Sequence, residues 1–297
     1  MKIIQKRKYF FVFSAVLLVL SISFLATWKL KPAIDFSGGV LMEVGFANEI
    51  PSKEELSEKI NAYNLGSYTL QYTEEKSVIL RFASENDEKN EEVSEKIESE
   101  IEGADVQRVE FISGVVSSEI KEKAYLGVIV AIIGIALYIA WAFRKVSYPI
   151  SSWKYGIGAV VALAHDILIT LGVFSILGRF FDVEVGVPFV AALLTILGYS
   201  VNDTIVVFDR IRENLVRAGA KDDFENTVNK SINETLARSI NTSLTVIFVL
   251  LAIFFLGGQS IQFFALALTV GVFFGTYSSI FVASAVLVEI WKYQQKK

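Results

Sequence analysis

Two aspartates lie inside long apolar stretches of the sequence, where a charged side chain is unexpected. Asp166 stands in VALAHDILITLG beside His165, and Asp203 stands in LGYSVNDTIVVFDRIREN. A charge at the centre of a bilayer costs about 2.5 to 3.5 kcal/mol on insertion scales, so an ionisable residue there indicates function. Burial disfavours the charged carboxylate and a nearby cation favours it, so such a group can bind and release a proton. These two positions therefore predict an ion relay.

Hydrogen-bonding residues surround Asp203 in the sequence. Ser200, Asn202 and Thr204 all lie within three positions of it. Their side chains could pass a proton along or hold water beside the carboxylate. We expect them to support Asp203 rather than to carry charge themselves.

Arg238 is the best candidate for a cation that regulates Asp203. Arg238, Thr242 and Thr245 recur at i, i+4 and i+7, which places them on one face of a helix. The candidate cation therefore lies at the mouth of the fifth span, on the same helix face as two hydroxyl groups. The alternative for Ser200, Thr242 and Thr245 is that they only join helices by hydrogen bonds, as polar residues in membrane helices often do.

His165 precedes Asp166 directly. Successive residues point about 100° apart on a helix, so the two side chains need not touch. His165 could be a proton relay, or a hydrogen-bonded packing residue, which is the favoured interpretation. Gly271 and Gly275 have the small-xxx-small spacing that lets helices approach closely, although this spacing is common in glycine-rich membrane chains.

The composition excludes several kinds of chemistry. The 297 residues include no Cys and one His, which rules out disulfides, thiolate nucleophiles, cysteine-ligated metals and multi-histidine metal sites. No G-x-x-x-x-G-K-[ST] loop is present, so Walker-type nucleotide binding is not predicted. We therefore expect no metal and no cofactor, no nucleic-acid partner and no enzyme activity. An ion gradient or a partner must drive any work.

Apolar segments dominate the chain, which is 53% hydrophobic with a mean hydropathy of +0.48. About 20 apolar residues in a helix cross the roughly 30 Å hydrocarbon core of a bilayer. The predicted spans are Tyr9 to Trp28, Ala124 to Phe143, Tyr155 to Leu177, Val185 to Phe208, Ile240 to Leu256, and Phe263 to Trp291. The fold class is therefore a polytopic α-helical membrane protein with six transmembrane helices.

The distribution of Lys and Arg predicts the orientation of these spans, because cytoplasmic loops carry the excess. Basic residues precede the first span, follow the last, and occupy the second connection (Arg144, Lys145, Lys154) and Asp209 to Ser239. The short opposite loops offer only Arg179. Both termini are predicted to be cytoplasmic. The predicted domains are 1–28 with the first helix, 29–123 outside the membrane, and 124–297 with helices two to six.

Residues 29–123 have the pattern of a small α+β domain. They hold 21 acidic and 11 basic residues, a net charge of −10. The alternation in SYTLQY and SVILRF favours half-buried strands, and Ser52 with Glu55 is typical of a helix N-cap. The predicted elements are strand Val40 to Phe46, helix Ser52 to Asn64, strands Tyr68 to Thr73 and Ser77 to Ala83, helix Glu88 to Ile101, and strand Val106 to Phe111. This order matches the ferredoxin-like βαββαβ unit.

Four local sequences resemble those of one membrane-protein family. They are IDFSGG at Ile34 to Gly39, ALAHD at Ala162 to Asp166, AALLTILGYSVNDTIVVFDRIREN at Ala191 to Asn214, and ARSINTSLT at Ala237 to Thr245. They are similar to signatures of the SecF family, whose members are subunits of the bacterial SecDF protein-export complex. The likeness covers essentially the whole chain and extends to the architecture of half a resistance-nodulation-division transporter.

The resemblance implies an obligate partner, SecD, association with the SecYEG channel, and commonly YajC and YidC. It implies a bacterial inner-membrane protein in which proton flow moves extracytoplasmic domains that act on the emerging preprotein. Asp203 would then be the family's proton-bearing aspartate and Arg238 its regulating arginine, while Asp166 matches a motif residue of less certain role. Gly38 and Gly39 would form a hinge for the outer domain, or only a tight turn.

Other functions remain open at this point. Asp166 and Asp203 could be the dyad of an intramembrane aspartyl protease, although the G-x-G-D signature of that class is missing. The chain could be half of an exporter of small molecules or lipids, or a passive scaffold of the export channel. The coupling ion could be H⁺ or Na⁺, because carboxylate and hydroxyl oxygens suit either cation.

Overall fold

The protein is described here by a computed structural model that covers residues 1–47, 50–66, 68–73, 76–84, 87–144, 150–218 and 223–295. The chain divides into two compact units, one of Met1–Lys31 with Tyr125–Lys297 and the other of Pro32–Ala124. Four basic residues used to predict orientation lie outside the described residues: Lys145, Lys221, Lys296 and Lys297.

The elements follow one another as mostly helical segments interrupted by one sheet. In chain order they are a 3-10 turn Ile4–Lys6, α1 Arg7–Trp28, α2 Ile34–Ser37, β1 Gly39–Phe46, α3 Lys53–Asn61, β2 Tyr68–Tyr72, β3 Ser77–Phe82, α4 Asp87–Glu100, β4 Ala104–Ile112, α5 Gly114–Ala142, α6 Trp153–Phe180, α7 Val187–Ala218, α8 Phe224–Leu256, α9 Gln259–Ser278, a π-helical turn Ser279–Ala283 and α10 Ser284–Gln295.

Six helical stretches of the described chain are long and apolar enough to cross a membrane, which confirms the predicted spans. The sixth consists of α9, the π-helical turn and α10. Two helices begin well before their apolar segments, α5 at Gly114 and α8 at Phe224. The first turns of both helices are polar but are as helical as the apolar turns that follow. A prediction from hydropathy alone therefore places the start of each helix too late. With 33 residues, α8 is about 50 Å long, well beyond the thickness of a hydrocarbon core.

Small residues set the packing at the centre of the membrane unit. A Cβ added at Gly271 of α9 would overlap Ile196 of α7, and one at Gly275 would lie 3.0 Å from the Ser200 Cβ. The small-xxx-small pair therefore marks a close approach of α9 to α7. This approach brings the polar residues of the two helices together.

The π-helical turn interrupts the sixth span next to two buried serines. Ser278 and Ser279, where α9 meets the turn, are both fully buried. The Ser284 hydroxyl donates to the Ser279 carbonyl at 3.2 Å, five residues back. Single π-helical turns within α-helices occur frequently at functional sites. Nothing in the sequence pattern predicts this turn.

The second unit is a four-stranded sheet with the order β2-β3-β1-β4, in which every neighbouring pair is antiparallel. Its apolar core includes Val40, Met42 and Leu80 from the strands, and Ile60 and Ile97 from helices α3 and α4. All six predicted elements are present, and none of their ends differs from the predicted one by more than three residues.

Two local predictions concern the helices of this unit. The Ser52 hydroxyl accepts from the Glu55 backbone N–H at 3.3 Å, so the predicted N-cap is confirmed. In α4, Val93 and Ile97 are buried while Glu92 is exposed. The charges of α4 therefore form a solvated face, as expected for an amphipathic surface helix.

Gly38 and Gly39 form a tight, closely packed turn between α2 and β1. Both have positive φ, +72° and +116°. A Cβ at Gly39 would lie 2.7 Å from the Phe82 carbonyl oxygen, so only glycine fits without displacement. This packing supports the turn interpretation, and a hinge at these glycines stays a prediction.

Candidate functional site

Asp166 is completely buried in the middle of α6 and is fully hydrogen-bonded. Its Oδ2 accepts from the Ser200 hydroxyl of α7 at 2.6 Å and from the Ser278 hydroxyl of α9 at 2.8 Å. Its relative exposure is 0%. Three helices therefore meet at this carboxylate. Such donors are what a buried charge requires in place of water.

His165 contacts Asp166 directly, despite pointing to a different side of the helix. Its Nδ1 lies 3.0 Å from the Asp166 Oδ1. The imidazole is 2% exposed and stacks on the Tyr277 ring, with centroids 5.8 Å apart. Its Nε2 is buried without a hydrogen-bond partner among the described residues. The favoured interpretation of His165 as a satisfied packing residue therefore accounts for only one of its two nitrogens.

Asp203 lies on α7 and is bonded through one oxygen only. Its Oδ1 accepts from the Ser239 hydroxyl of α8 at 2.6 Å. Its Oδ2 is buried with no hydrogen-bond partner among the described residues. The Ser279 hydroxyl lies beside the carboxylate, but it donates to the Ser200 carbonyl and pairs with Thr204 at 2.7 Å. Asp203 therefore has an open acceptor in an apolar bundle.

A series of hydroxyls connects the surroundings of the two acids. Ser200 is shared, since its hydroxyl bonds Asp166 and its carbonyl accepts from Ser279. Ser279 in turn contacts Thr204, the neighbour of Asp203. Alongside, Tyr199 donates to Ser243, which pairs closely with Thr276 of α9. Hydroxyls can both donate and accept, so this arrangement suits proton transfer or ion coordination.

The face of α8 that carries Arg238 does not contact Asp203. Arg238, Thr242 and Thr245 are all exposed, and Arg238 forms no ion pair within the described part of the chain. The buried face carries Ser239 and Ser243 instead. In this structure Ser239, the next residue of α8, is the partner of Asp203, and a pairing of Arg238 with Asp203 stays a prediction.

The other predicted supporting residues divide between core and surface. Ser200 and Thr204 are buried at the site, as expected, whereas Asn202 is exposed. The site also includes residues that the sequence did not single out, namely Ser239, Ser243, Thr276, Ser278 and Ser279. Each is a small hydroxyl residue at a packed helix interface. Only the packing distinguishes such residues from serines that merely bond to their own helix.

The arrangement does not favour a protease dyad. The two carboxylates share no hydrogen bond, since Asp166 binds His165, Ser200 and Ser278 while Asp203 binds Ser239. A dyad that activates water requires carboxyl groups close enough to share a proton. No cluster of three or more metal-ligating side chains occurs in the ranges that the structure describes.

Comparison with protein families and curated relatives identifies the chain. Residues 92–293 match the family described as protein export membrane protein SecD/SecF, C-terminal. The protein translocase subunit SecF of Thermobaculum terrenum is 39% identical, over 96% of this chain and 92% of the relative. The SecF subunit of Vibrio alginolyticus is 41% identical, over 95% of this chain and 87% of the relative.

Two solved structures of SecDF are similar to this chain. The crystal structure of SecDF from Thermus thermophilus, a translocon-associated membrane protein, matches 98% of this chain with a TM-score of 0.82 and 34% identity. SecDF in a super-membrane-facing form matches with a TM-score of 0.69 and 33% identity. This chain spans only 38% of the length of the first SecDF chain. The chain is a multi-pass membrane protein and belongs to the SecF family of protein translocase subunits.

Proposed function

We propose that this chain works with SecD to use an ion gradient for the late stage of preprotein translocation through SecYEG, in the bacterial inner membrane. The observation that carries the proposal is Asp203, a buried carboxylate with one oxygen unpartnered among the described residues. Family membership supports the role in export, and YajC and YidC are further proposed partners. A structural anchor would bury a neutral residue at lower cost than Asp203.

The proposed topology follows from charge. Both termini face the cytoplasm and residues 32–124 lie outside, because Lys and Arg collect on the opposite connections. We assign this outer unit to the ferredoxin-like fold and the membrane unit to half of a resistance-nodulation-division architecture. The strand order β2-β3-β1-β4 with antiparallel pairs supports the first assignment.

In the proposed switch, two neighbouring residues of α8 alternate as the partner of Asp203. Ser239 holds Asp203 in the present conformation, and Arg238 lies about 100° away on the same helix. A charged Asp203 favours a rotation of α8 that brings Arg238 to its open oxygen, while a neutral Asp203 has no charge to compensate and keeps its bond to Ser239. The charge state of one acid thereby selects between two positions of α8. Asp166 and its hydroxyls continue the ion path toward α6, through Ser200 of α7.

SecD is the proposed occupant of the exposed polar side of the membrane unit. Arg238, Asn241, Thr242 and Thr245 of α8 are exposed, as is Asn202 of α7. Polar groups that face lipid are unfavourable, and intramembrane charges usually face a bundle interior or an aqueous cavity. A partner that supplies the rest of the ion path would cover them. H⁺ and Na⁺ both fit the oxygen donors of the path.

Asp203→Asn tests the proposal in vesicles that contain this chain, SecD and SecYEG. We expect export to fall to the level measured without an ion gradient, while the complex still assembles. Asp209→Asn is the matched control on the same helix, because Asp209 is exposed and pairs with Arg212 at 2.7 Å. Titration of export against pH and Na⁺ identifies the ion. Full gradient-driven export by Asp203→Asn would contradict the proposal and favour a passive scaffold.

A further inference from the structure

His165 and Asp166 form a buried pair, and its unpartnered imidazole nitrogen plays no part in the proposed switch at Asp203. Both side chains are almost completely buried, at 2% and 0% exposure, and they touch through Nδ1 and Oδ1. The remaining imidazole nitrogen, Nε2, has no partner among the described residues. A buried polar atom of this kind calls for an explanation, because leaving it unsatisfied destabilises the folded protein.

Proton accounting locates where this pair can bind a proton. With one proton between them, Nδ1–H donates to the carboxylate, since a lone pair on Nδ1 would face a negative oxygen. In that form Nε2 carries no proton and the pair has a net charge of −1. Adding one proton gives either an imidazolium beside a carboxylate or a neutral imidazole beside a carboxylic acid. Oδ2 already accepts from two hydroxyls, so we place the added proton within the Nδ1–Oδ1 pair, and Nε2 then carries a proton in both descriptions.

The surroundings of the pair favour the loaded form. From α7 the Ser200 hydroxyl faces Asp166, and from α9 the Ser278 hydroxyl and the Tyr277 ring face the pair. The other ring near the imidazole is Phe274 of α9, at 6.5 Å between centroids. No charged side chain other than His165 acts on Asp166 among the described residues. The loaded pair is neutral, so it avoids burying an uncompensated charge.

Tyr277 is positioned to stabilise an imidazolium. Its ring lies 5.8 Å from the imidazole at an interplanar angle of 23°, within the range of cation–π contacts. Its own hydroxyl is held by α1, where it donates to the Phe10 carbonyl at 3.1 Å and contacts Ser14 at 3.2 Å. Both the orientation of the ring and its distance from His165 therefore depend on the first span.

We propose that His165 and Asp166 form a second proton-binding site, which loads at Nε2 of His165 and whose loaded form is stabilised by Tyr277. Its part in transport rests on the proposed function, whereas its binding of a proton does not. The site is separate from Asp203, because the two acids bind different donors. The first span takes part through the two bonds that hold Tyr277.

The single histidine of the chain makes the proposal directly measurable. The full chain is labelled with ¹⁵N-histidine, placed in nanodiscs, and followed by solid-state NMR against pH. We expect one imidazole whose Nδ1 stays hydrogen-bonded throughout, while Nε2 changes from unprotonated to protonated in a single step. An Nε2 that keeps one state over the whole pH range in which the chain stays folded would overturn the proposal, as would protonation at Nδ1 alone.

Variants separate a proton site from simple packing. Tyr277→Leu removes the ring and should lower the proton affinity of the imidazole roughly 2- to 30-fold. Tyr277→Phe keeps the ring but loses the bonds to α1, and should give an affinity between those of the parent and Tyr277→Leu. Equal affinities in both variants and the parent would refute the role of Tyr277. Asp166→Asn should lower the affinity further, with gel filtration confirming a folded, monodisperse protein.

Asp203→Asn distinguishes this proposal from the proposed function. We expect it to abolish gradient-driven export while shifting the His165 titration much less than Asp166→Asn does, because Asp166 contacts the imidazole directly and Asp203 bonds Ser239 instead. If export survives and the titration is intact, the proposed function fails and the second site stands. If the titration moves as strongly as in Asp166→Asn, the sites are one coupled unit and the claim of a separate site fails.

Discussion

At the residue scale, the two buried acids differ in how completely their oxygens are bonded. Both oxygens of Asp166 have donors, whereas one oxygen of Asp203 has none among the described residues. A carboxylate whose oxygens are all hydrogen-bonded is stable in its present contacts, while one with an unbonded oxygen is stabilised by a new partner. This difference supports a fixed role for Asp166 and a switching role for Asp203.

Ser278→Ala should reveal how strongly Asp166 depends on its donors. The variant removes the 2.8 Å hydrogen bond to Oδ2 and leaves Ser200 as the other donor to that oxygen. We expect the free energy of unfolding to fall by about 1 to 3 kcal/mol, as for hydrogen bonds to charged groups. Denaturation in mixed micelles measures it. Thr195→Ala is the control, because Thr195 is exposed and bonds only its own helix; an equal loss there would contradict the prediction.

The residue types allowed the acids to be predicted but not their partners. Asp166 and Asp203 stand out because a charge in an apolar run is rare and costly. Ser239 and Ser278 do not stand out, since serine is tolerated in membrane helices whether or not it bonds across an interface. Which residue of α8 contacts Asp203 could not be predicted, because helical spacing relates the residues of α8 to one another and says nothing about which side meets α7.

At the element scale, glycine positions decide how near the helices come. Gly275 of α9 lies against Ser200, the residue that donates to Asp166. The close approach is therefore a condition for the hydrogen bonds at the site. The glycine spacing indicated such a contact, but the facing helix could not be read from it.

Gly275→Ala should loosen the site as well as the packing. The added Cβ would lie 3.0 Å from the Ser200 Cβ, so α9 or Ser200 must shift away from Asp166. We expect a loss of about 1 to 3 kcal/mol in unfolding free energy, typical of overpacking. Gly134→Ala on α5, where a Cβ meets nothing within 4 Å, should be neutral or slightly stabilising. Thermal unfolding of both variants in detergent provides the comparison, and equal melting temperatures would contradict it.

At the scale of the whole molecule, a cluster of charges joins the two ends of the chain. Arg7 of α1 pairs with Glu225 of α8 at 2.9 Å and with Glu289 of α10 at 2.5 Å, and Lys292 also reaches Glu225 at 2.5 Å. The number and order of the spans followed from hydropathy. These contacts between residues far apart in the sequence did not, because every charged residue near a helix end has many possible partners.

Glu225→Gln should weaken this connection. It removes the carboxylate shared by Arg7 and Lys292, and Arg7 is only 10% exposed. We expect unfolding free energy to fall by about 1 to 2 kcal/mol, less than for a fully buried pair because water screens the cluster in part. Glu119→Gln, which breaks the exposed pair with Lys123, should leave the unfolding free energy almost unchanged, because water screens an exposed ion pair. Calorimetry that finds the two variants equal would rule out a structural role for the cluster.

The exposed polar side of α8 has a consequence for how the chain is made in the cell. A copy synthesised in excess of its partner holds Asn241, Thr242 and Thr245 against acyl chains, an unstable situation for a membrane helix. Such orphan copies are expected to associate with each other or to be degraded by membrane quality control. The exposed polar surface of α8 therefore requires the cell to produce the two subunits in equal amounts.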